Sequence, residues 1–336
     1  MNYRFLALVS GLVVSAVVAT APVAGQAGAT GARPNGSPPK AYAAPRTPDG
    51  QPDLQGIWTN ATYTPLERPK NVTKEFYTPE EALQLAKRAA LEESDQTEPG
   101  TVADVHYDFT QFGLDRSQGT MALNLRTSLI VDPADGRLPP LSAEGQRRAA
   151  ERAAARKSRG GPHDSVQNEP LSARCILMDR NGPPMLGGAY NNDYQIMQAP
   201  GYVMILTEML HDARIIPLDG RPHLPRDIRP WLGDSRGRWD GDTLIVETTN
   251  FSPKSSLLGS AENLHVVERF TRTAPDKINY EITLTDPTTW TAPWTAVVRL
   301  KRTDDTIYED ACHEGNERVM MGILAGARAA EKAAVR

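Results

Sequence analysis

The chain has 336 residues, with 37 Lys and Arg against 41 Asp and Glu and a formal net charge of -4. Its basic residues are interspersed with acids, so there is no cationic field for a polyanion, which excludes nucleic acid as a partner. A hydrophobic content of 40% suffices for the core of one large domain, and after the N-terminus no run approaches the ~20 apolar residues of a membrane span.

Residues 1–29 read as an export signal: Arg4 precedes an apolar run over 5–18, and Val23, Gly25, Ala27 and Ala29 offer small residues for cleavage. The mature protein is therefore expected to be periplasmic or secreted, with no stable membrane insertion after signal removal. Residues 30–52, rich in Ala, Gly and Pro without apolar period, form a flexible leader, and 53–336 form a single domain. In Thr78-Pro79-Glu80-Glu81 an N-cap, a proline at the first helical position and a capping-box glutamate open a helix over 78–94. A second helix over 142–160 is stopped by Gly160 and Gly161. With almost no large apolar residue, it should be a surface insertion whose basic run from Arg147 to Arg159 is a solvated face.

From residue 194 the pattern turns to strands. Segments 194–198 and 202–206 flank Ala199-Pro200-Gly201 as a hairpin, and 213–218 adds a third strand. Asp240-Gly241-Asp242 turns the chain between Trp239 and Thr243, with glycine supplying positive φ. Further strands are expected over 265–271, 278–285, 295–301 and 307–311, and a third helix over 317–332. Short strands spaced about ten residues apart favour an antiparallel meander closing into a barrel or folding into a sandwich.

Cys175 and Cys312 are the only cysteines, and export places them where a disulfide persists, so they are expected to pair. Trp58, Trp231, Trp239, Trp290 and Trp294 fall at strand or turn positions, where a ring either lines a cavity or fills the core.

The candidate chemistry lies in the second half. In His211-Asp212-x-Arg214 a histidine exchanges protons near neutral pH, a carboxylate orients it and an arginine holds an anion; the competing reading is a turn capped by Asp212 with Arg214 in a salt bridge. His313-Glu314 follows Cys312, so the disulfide would fix His313 in place; otherwise Glu314 serves the helix dipole and His313 is surface. On the strand from Leu264 to Phe270, His265, Val267 and Arg269 share one face and Leu264, Val266, Glu268 and Phe270 the other. The first set is expected to face the cavity as a binding wall, and Tyr280 and Glu281 on the next strand carry the same ambiguity. Gly233-Asp234-Ser235-Arg236-Gly237 reads as a loop in which Asp234 caps and Arg236 pairs. Tyr194, Arg214, Arg236, Trp239 and Arg269 are the expected substrate contacts, with His211, Asp212, His265, His313 and Glu314 catalytic. No short-spaced zinc motif, phosphate loop or dinucleotide fingerprint occurs, so no cofactor is expected, although His211, His223, His265 and His313 could still converge with Asp212 or Glu314 on a metal.

Two stretches carry a resemblance. Asp53-Leu54-Gln55-Gly56-Ile57-Trp58 resembles the Gly-x-Trp opening of lipocalin-type barrels, in which the tryptophan plugs one end. Residues 236–244, Arg-Gly-Arg-Trp-Asp-Gly-Asp-Thr-Leu, are similar to a hairpin of lipocalin-like β-proteins. With Tyr190-Asn191-Asn192, His211-Asp212-Ala213-Arg214, Trp231 to Arg236, Glu262 to His265 and Ala311 to Asn316, the chain from Asp53 onward resembles an uncharacterised family of exported proteins of soil bacteria. The resemblance implies a mainly β, lipocalin-like barrel with two or three peripheral helices, and supplies no chemistry. Two functions follow as expectations: a cofactor-independent lyase, isomerase or hydrolase acting through histidine and carboxylate on a small organic or sugar-like substrate, or a carrier of a small hydrophobic ligand. An accessory protein of a surface complex would instead show a broad exposed apolar patch.

Overall fold

In a computed structural model of the chain, residues 42–93, 124–158, 163–178, 182–187, 192–255, 257–304 and 306–334 are described. The export signal, most of the leader, and Gly160 and Gly161 lie outside them.

Among the described residues ten strands and three α-helices make a mainly β protein: β1 (Gly56–Thr59), α1 (Pro79–Glu93), β2 (Ile130–Asp132), α2 (Ala143–Ser158), β3 (Asp193–Ala199), β4 (Tyr202–Thr207), β5 (Ala213–Pro217), β6 (Asp234–Asp240), β7 (Thr243–Thr249), β8 (His265–Ala274), β9 (Lys277–Thr285), β10 (Trp294–Arg302) and α3 (Asn316–Ala334). Nine of the strands form one antiparallel path, β5-β4-β3-β1-β10-β9-β8-β7-β6, which curls into a nearly closed barrel, while β2 pairs β10 outside it. Closure brings β6 against β5 at Gly237. A Cβ there would sit 2.8 Å from Ile216 Cγ2 and 2.6 Å from Leu218 Cδ2, so only glycine admits the approach.

Alternation decides what fills the barrel. Val266, Glu268 and Phe270 of β8, Ile278, Tyr280, Ile282 and Leu284 of β9, and Trp294, Ala296, Val298 and Leu300 of β10 are buried. Phe270 pairs with Tyr280 across the ladder, and their rings stack at 4.6 Å. Each fully buried aliphatic chain contributes roughly 1.5–3 kcal/mol. The turn at Gly241 forms as expected, with φ +58 between β6 and β7.

One end is plugged by Trp58, fully buried, its indole N–H donating to Leu54 O at 2.9 Å. The Arg272 guanidinium lies 5.6 Å from the ring and donates to Asp53 O and Pro275 O. The opposite end, where β1, β4, β7 and β9 finish and β3, β5, β6, β8 and β10 begin, carries the long loops.

Four readings need correction. Part of the expected leader is built in: Asp53 N donates to Pro45 O, and Arg46 forms an ion pair with Asp242. Asp234 to Gly237 is strand, not loop, because Ser235 and Thr248 satisfy each other across the β6–β7 pair at 2.8 Å. Residues 307–311 form no strand; Asp310 instead accepts the Leu210 amide at 2.9 Å. The basic face of α2 is partly engaged, Arg148 donating to Thr288 O and Thr289 Oγ1 and Arg152 to Gly259 O. The α1 capping box is present in full: Thr78 N donates to Glu81 Oε2 at 2.8 Å and Glu81 N to Thr78 Oγ1 at 3.2 Å.

Candidate functional site

At the open end the inward face of β8 presents Glu268, which has no solvent exposure. Arg214 of β5 meets it with both arms of its guanidinium, Nη1 to Oε2 at 2.5 Å and Nη2 to Oε1 at 3.0 Å. Tyr280 OH donates to Glu268 Oε1 at 2.6 Å and accepts from Met185 N at 3.0 Å. Burial works against the charge of Arg214, but Glu268 offsets it and holds the guanidinium above its ordinary pKa. Burial, then the neighbouring Glu268 carboxylate, pushes the Tyr280 phenol well up, so it remains a donor. Beside this group Asn60 Nδ2 donates to Tyr194 OH at 3.2 Å and Met185 O at 3.3 Å. Met185 is thus gripped at both its backbone N–H and C=O, and its side chain is fully buried in the barrel.

Met185 belongs to a flap formed by residues 171–178 and 182–187. The flap is tied down by the Cys175–Cys312 disulfide, with Cα atoms 5.7 Å apart, as the two cysteines led us to expect. Two cavities lie along its edge. The first, about 340 Å³ counting space open to solvent, is lined by Ile205, Thr207, Met209, Asp212 and Arg214 with the flap residues Leu177, Met178, Gly182 and Met185. The second, about 410 Å³ on the same measure, is bounded by Pro183, Pro184, Trp231, Phe251, Leu257 and Leu264 among others. Leu177, Met178, Gly182 and Leu232 line both, so the two are adjacent and together make a divided cleft. The charged side chains Asp212 and Arg214 line the first, whereas among the described residues the second has no charged lining and carries Ser255 and Ser260 among its apolar walls.

The turn from Met209 to His211 sets the polar end. Leu210 and His211 both carry positive φ, 57° and 55°, a left-handed pair that turns the chain into β5. Thr207 Oγ1 donates to Met209 O and Asp212 O, and Thr207 N also donates to Asp212 O, fixing the backbone at Asp212. The Asp212 carboxyl is half-buried, and burial alone raises its pKa. Behind the turn Glu208 is buried. Its carboxyl is pushed up to about 7, first by burial and then by Asp193, with Asp310 adding to the effect.

The structure separates several residues expected to meet. His211, His313 and Glu314 are exposed, and none of the described histidines lines either cavity. His265 and Arg269 stand half-exposed on the outer face of β8, Arg269 3.8 Å from Asp240; the inward set is Leu264, Val266, Glu268 and Phe270, which corrects the expected binding wall. Arg236 pairs with Asp234 at 2.6 Å, and Asp234 also holds His223 Nδ1 at 2.9 Å and the Leu224 amide at 2.9 Å. Trp239 is partly buried against the core, opposite Leu244, with its indole N–H unpartnered, and Tyr194 is fully committed inside. Asp212 and Arg214 do share a cavity, whereas Arg214 is held by Glu268. Among the described residues no group of three or more His, Cys, Asp or Glu is arranged to hold a metal ion. Sequence reasoning assigned no role to Asn60, Glu208 and Glu268 or to the flap leucine and methionines. An acid among the apolar positions of 264–270 was the available signal for a buried ion pair.

No protein-family model matches the chain, and no curated protein is matched. Among solved structures it is similar to a crystal structure of a variant of the fluorescent protein UnaG, at 16% identity over 40% of this chain and 86% of that one, with a TM-score of 0.22. That likeness is too slight to carry a ligand or an activity across. No described helix is long and apolar enough to cross a membrane.

Proposed function

We propose that this protein is an exported carrier that binds a small amphipathic molecule in the cleft beneath the flap. The observation that carries the reading is the adjacency of the two cavities, which share Leu177, Met178 and Leu232, with charged groups lining one of them only. A mostly apolar lining with a few convergent polar groups is the composition of small-ligand sites. The disulfide and the signal-like residues 1–29 support export.

A second reading rests on Asp212 and Arg214 lining one cavity. It is a proton-transfer enzyme in which Asp212 is the base and Arg214 steadies developing charge, in place of the expected histidines.

The test is thermal unfolding of the purified protein with a panel of amines, alcohols, acids, sugars and lipids, because a ligand bound only by the folded state raises Tm. Leu232→Trp enlarges a side chain that lines both cavities and is expected to abolish the shift while basal Tm stays within a few degrees. A ligand shift that survives in this variant puts binding elsewhere and rejects the cleft. Consumption of a panel member, lost in Asp212→Asn, would replace the carrier with the enzyme.

A further inference from the structure

We infer that the polar end of the cleft selects a ligand bearing a positively charged amine, with Asp212 as its counter-ion and the Leu177, Met178 and Leu232 walls taking its apolar body. This deepens the carrier reading and rests on it.

The argument starts from the charges that face the cavity. Among the described residues Arg214 is the one cation that lines it, and both arms of its guanidinium are spent on Glu268, the two side chains being 7% and 0% exposed. The pair is neutral as a unit. No free fork remains to clamp a carboxylate or phosphate bidentately, which is the geometry an arginine uses for anions.

Asp212 is the opposite case. Its side chain makes no hydrogen bond or ion pair among the described residues, although it is half-buried and lines the same cavity as apolar Ile205, Met209 and Leu232. The backbone contacts from Thr207 hold its main chain and leave the carboxyl free. Behind the turn, Glu208 has Asp193 of β3 and Asp310 as its charged neighbours, and none of the three lines the cavity. His211 beside Asp212 is exposed, and Arg214 is neutralised. An anion entering here would be desolvated against the Asp212 carboxylate, whereas an ammonium would donate hydrogen bonds to an acceptor that lacks a partner. Specificity of this kind comes as much from rejecting the wrong charge as from attracting the right one.

The experiment uses three ligands with one tail, octylamine, octanol and octanoate, titrated calorimetrically into the oxidised full-length protein at pH 8. Octylamine is expected to bind about tenfold more tightly than octanol, as for a partly desolvated ion pair, with octanoate weakest. Asp212→Asn should remove the tenfold and leave octanol affinity within about twofold. In the wild type the amine preference should fade as pH falls through the raised titration range of Asp212, because binding needs the carboxylate, while octanol affinity stays level. That profile tests the inference even where the variant folds poorly. Octanoate binding as tightly as octylamine, or an amine preference untouched by both Asp212→Asn and pH, overturns the inference and leaves the cleft standing. Failure of all three ligands to bind, with Leu232→Trp equally silent, rejects the cleft itself.

Discussion

Glu208 is the residue whose environment is most at odds with its chemistry. It is 4% exposed, Asp193 and Asp310 both repel its charge, and its carboxyl titrates near 7 rather than 4.5. A carboxyl raised on folding binds its proton more tightly in the native state. Its cost is absent below about pH 4.5, grows as pH rises between the two values and is complete above 7. At about 1.4 kcal/mol for each pH unit between them, the cost reaches roughly 3 kcal/mol at most. Glu208→Gln keeps an oxygen for the Tyr308 amide and removes the charge. It is expected to raise Tm at pH 8 and to make no difference near pH 4.5. Thermal melts across that range decide it: a variant less stable than wild type at pH 8 would mean that the amide contact outweighs burial.

At the scale of single elements, β8 shows what alternation reveals and what it withholds. Period-two patterning divides residues 264–270 correctly into two faces, yet gives no rule for which face turns inward once both carry charge. Glu268 goes in because β5 brings Arg214, and β9 brings Tyr280, to complete its hydrogen bonds. Those partners are 54 and 12 residues away, beyond any local pattern. The α1 capping box and the Gly241 turn were legible because their physics is confined to four residues. The start of β6 was not, since Ser235 and Gly237 look like loop until Thr248 and Ile216 are set beside them. Removing one member of the buried pair should therefore cost far more than removing both. Glu268→Gln, which strands the Arg214 charge, is expected to lose about 3–5 kcal/mol, and Glu268→Leu with Arg214→Met to recover at least half. Urea unfolding of the two variants measures the difference, and equal losses would show that the pair is isolated from the rest of the core.

Across the whole molecule the site is assembled from segments that only the barrel and the disulfide bring together: the turn at 209–212, the loop with Trp231 and Leu232, and the flap. Listing histidines could not find it, because a barrel sends alternate side chains outward, and here the loop histidines His211 and His313 are exposed. The Cys175–Cys312 pair was readable from cysteine count and compartment, but its task was not. It joins residues 137 apart, so the chain-entropy model assigns it about 5 kcal/mol, and it anchors the flap that lines the cleft. Two effects should therefore appear when both cysteines are changed to serine. Tm falls, as for any lost long-range cross-link. Independently, the Met185 amide, held by Tyr280 OH and shielded by the flap, exchanges its hydrogen faster than amides in β8 and β9 under the same conditions. Hydrogen exchange at a temperature where both forms are fully folded separates the two. A uniform acceleration across the barrel would make the disulfide a general brace. Acceleration confined to residues 171–178 and 182–187 would show that it governs access to the cleft, and ligand dissociation should then quicken in the same variant.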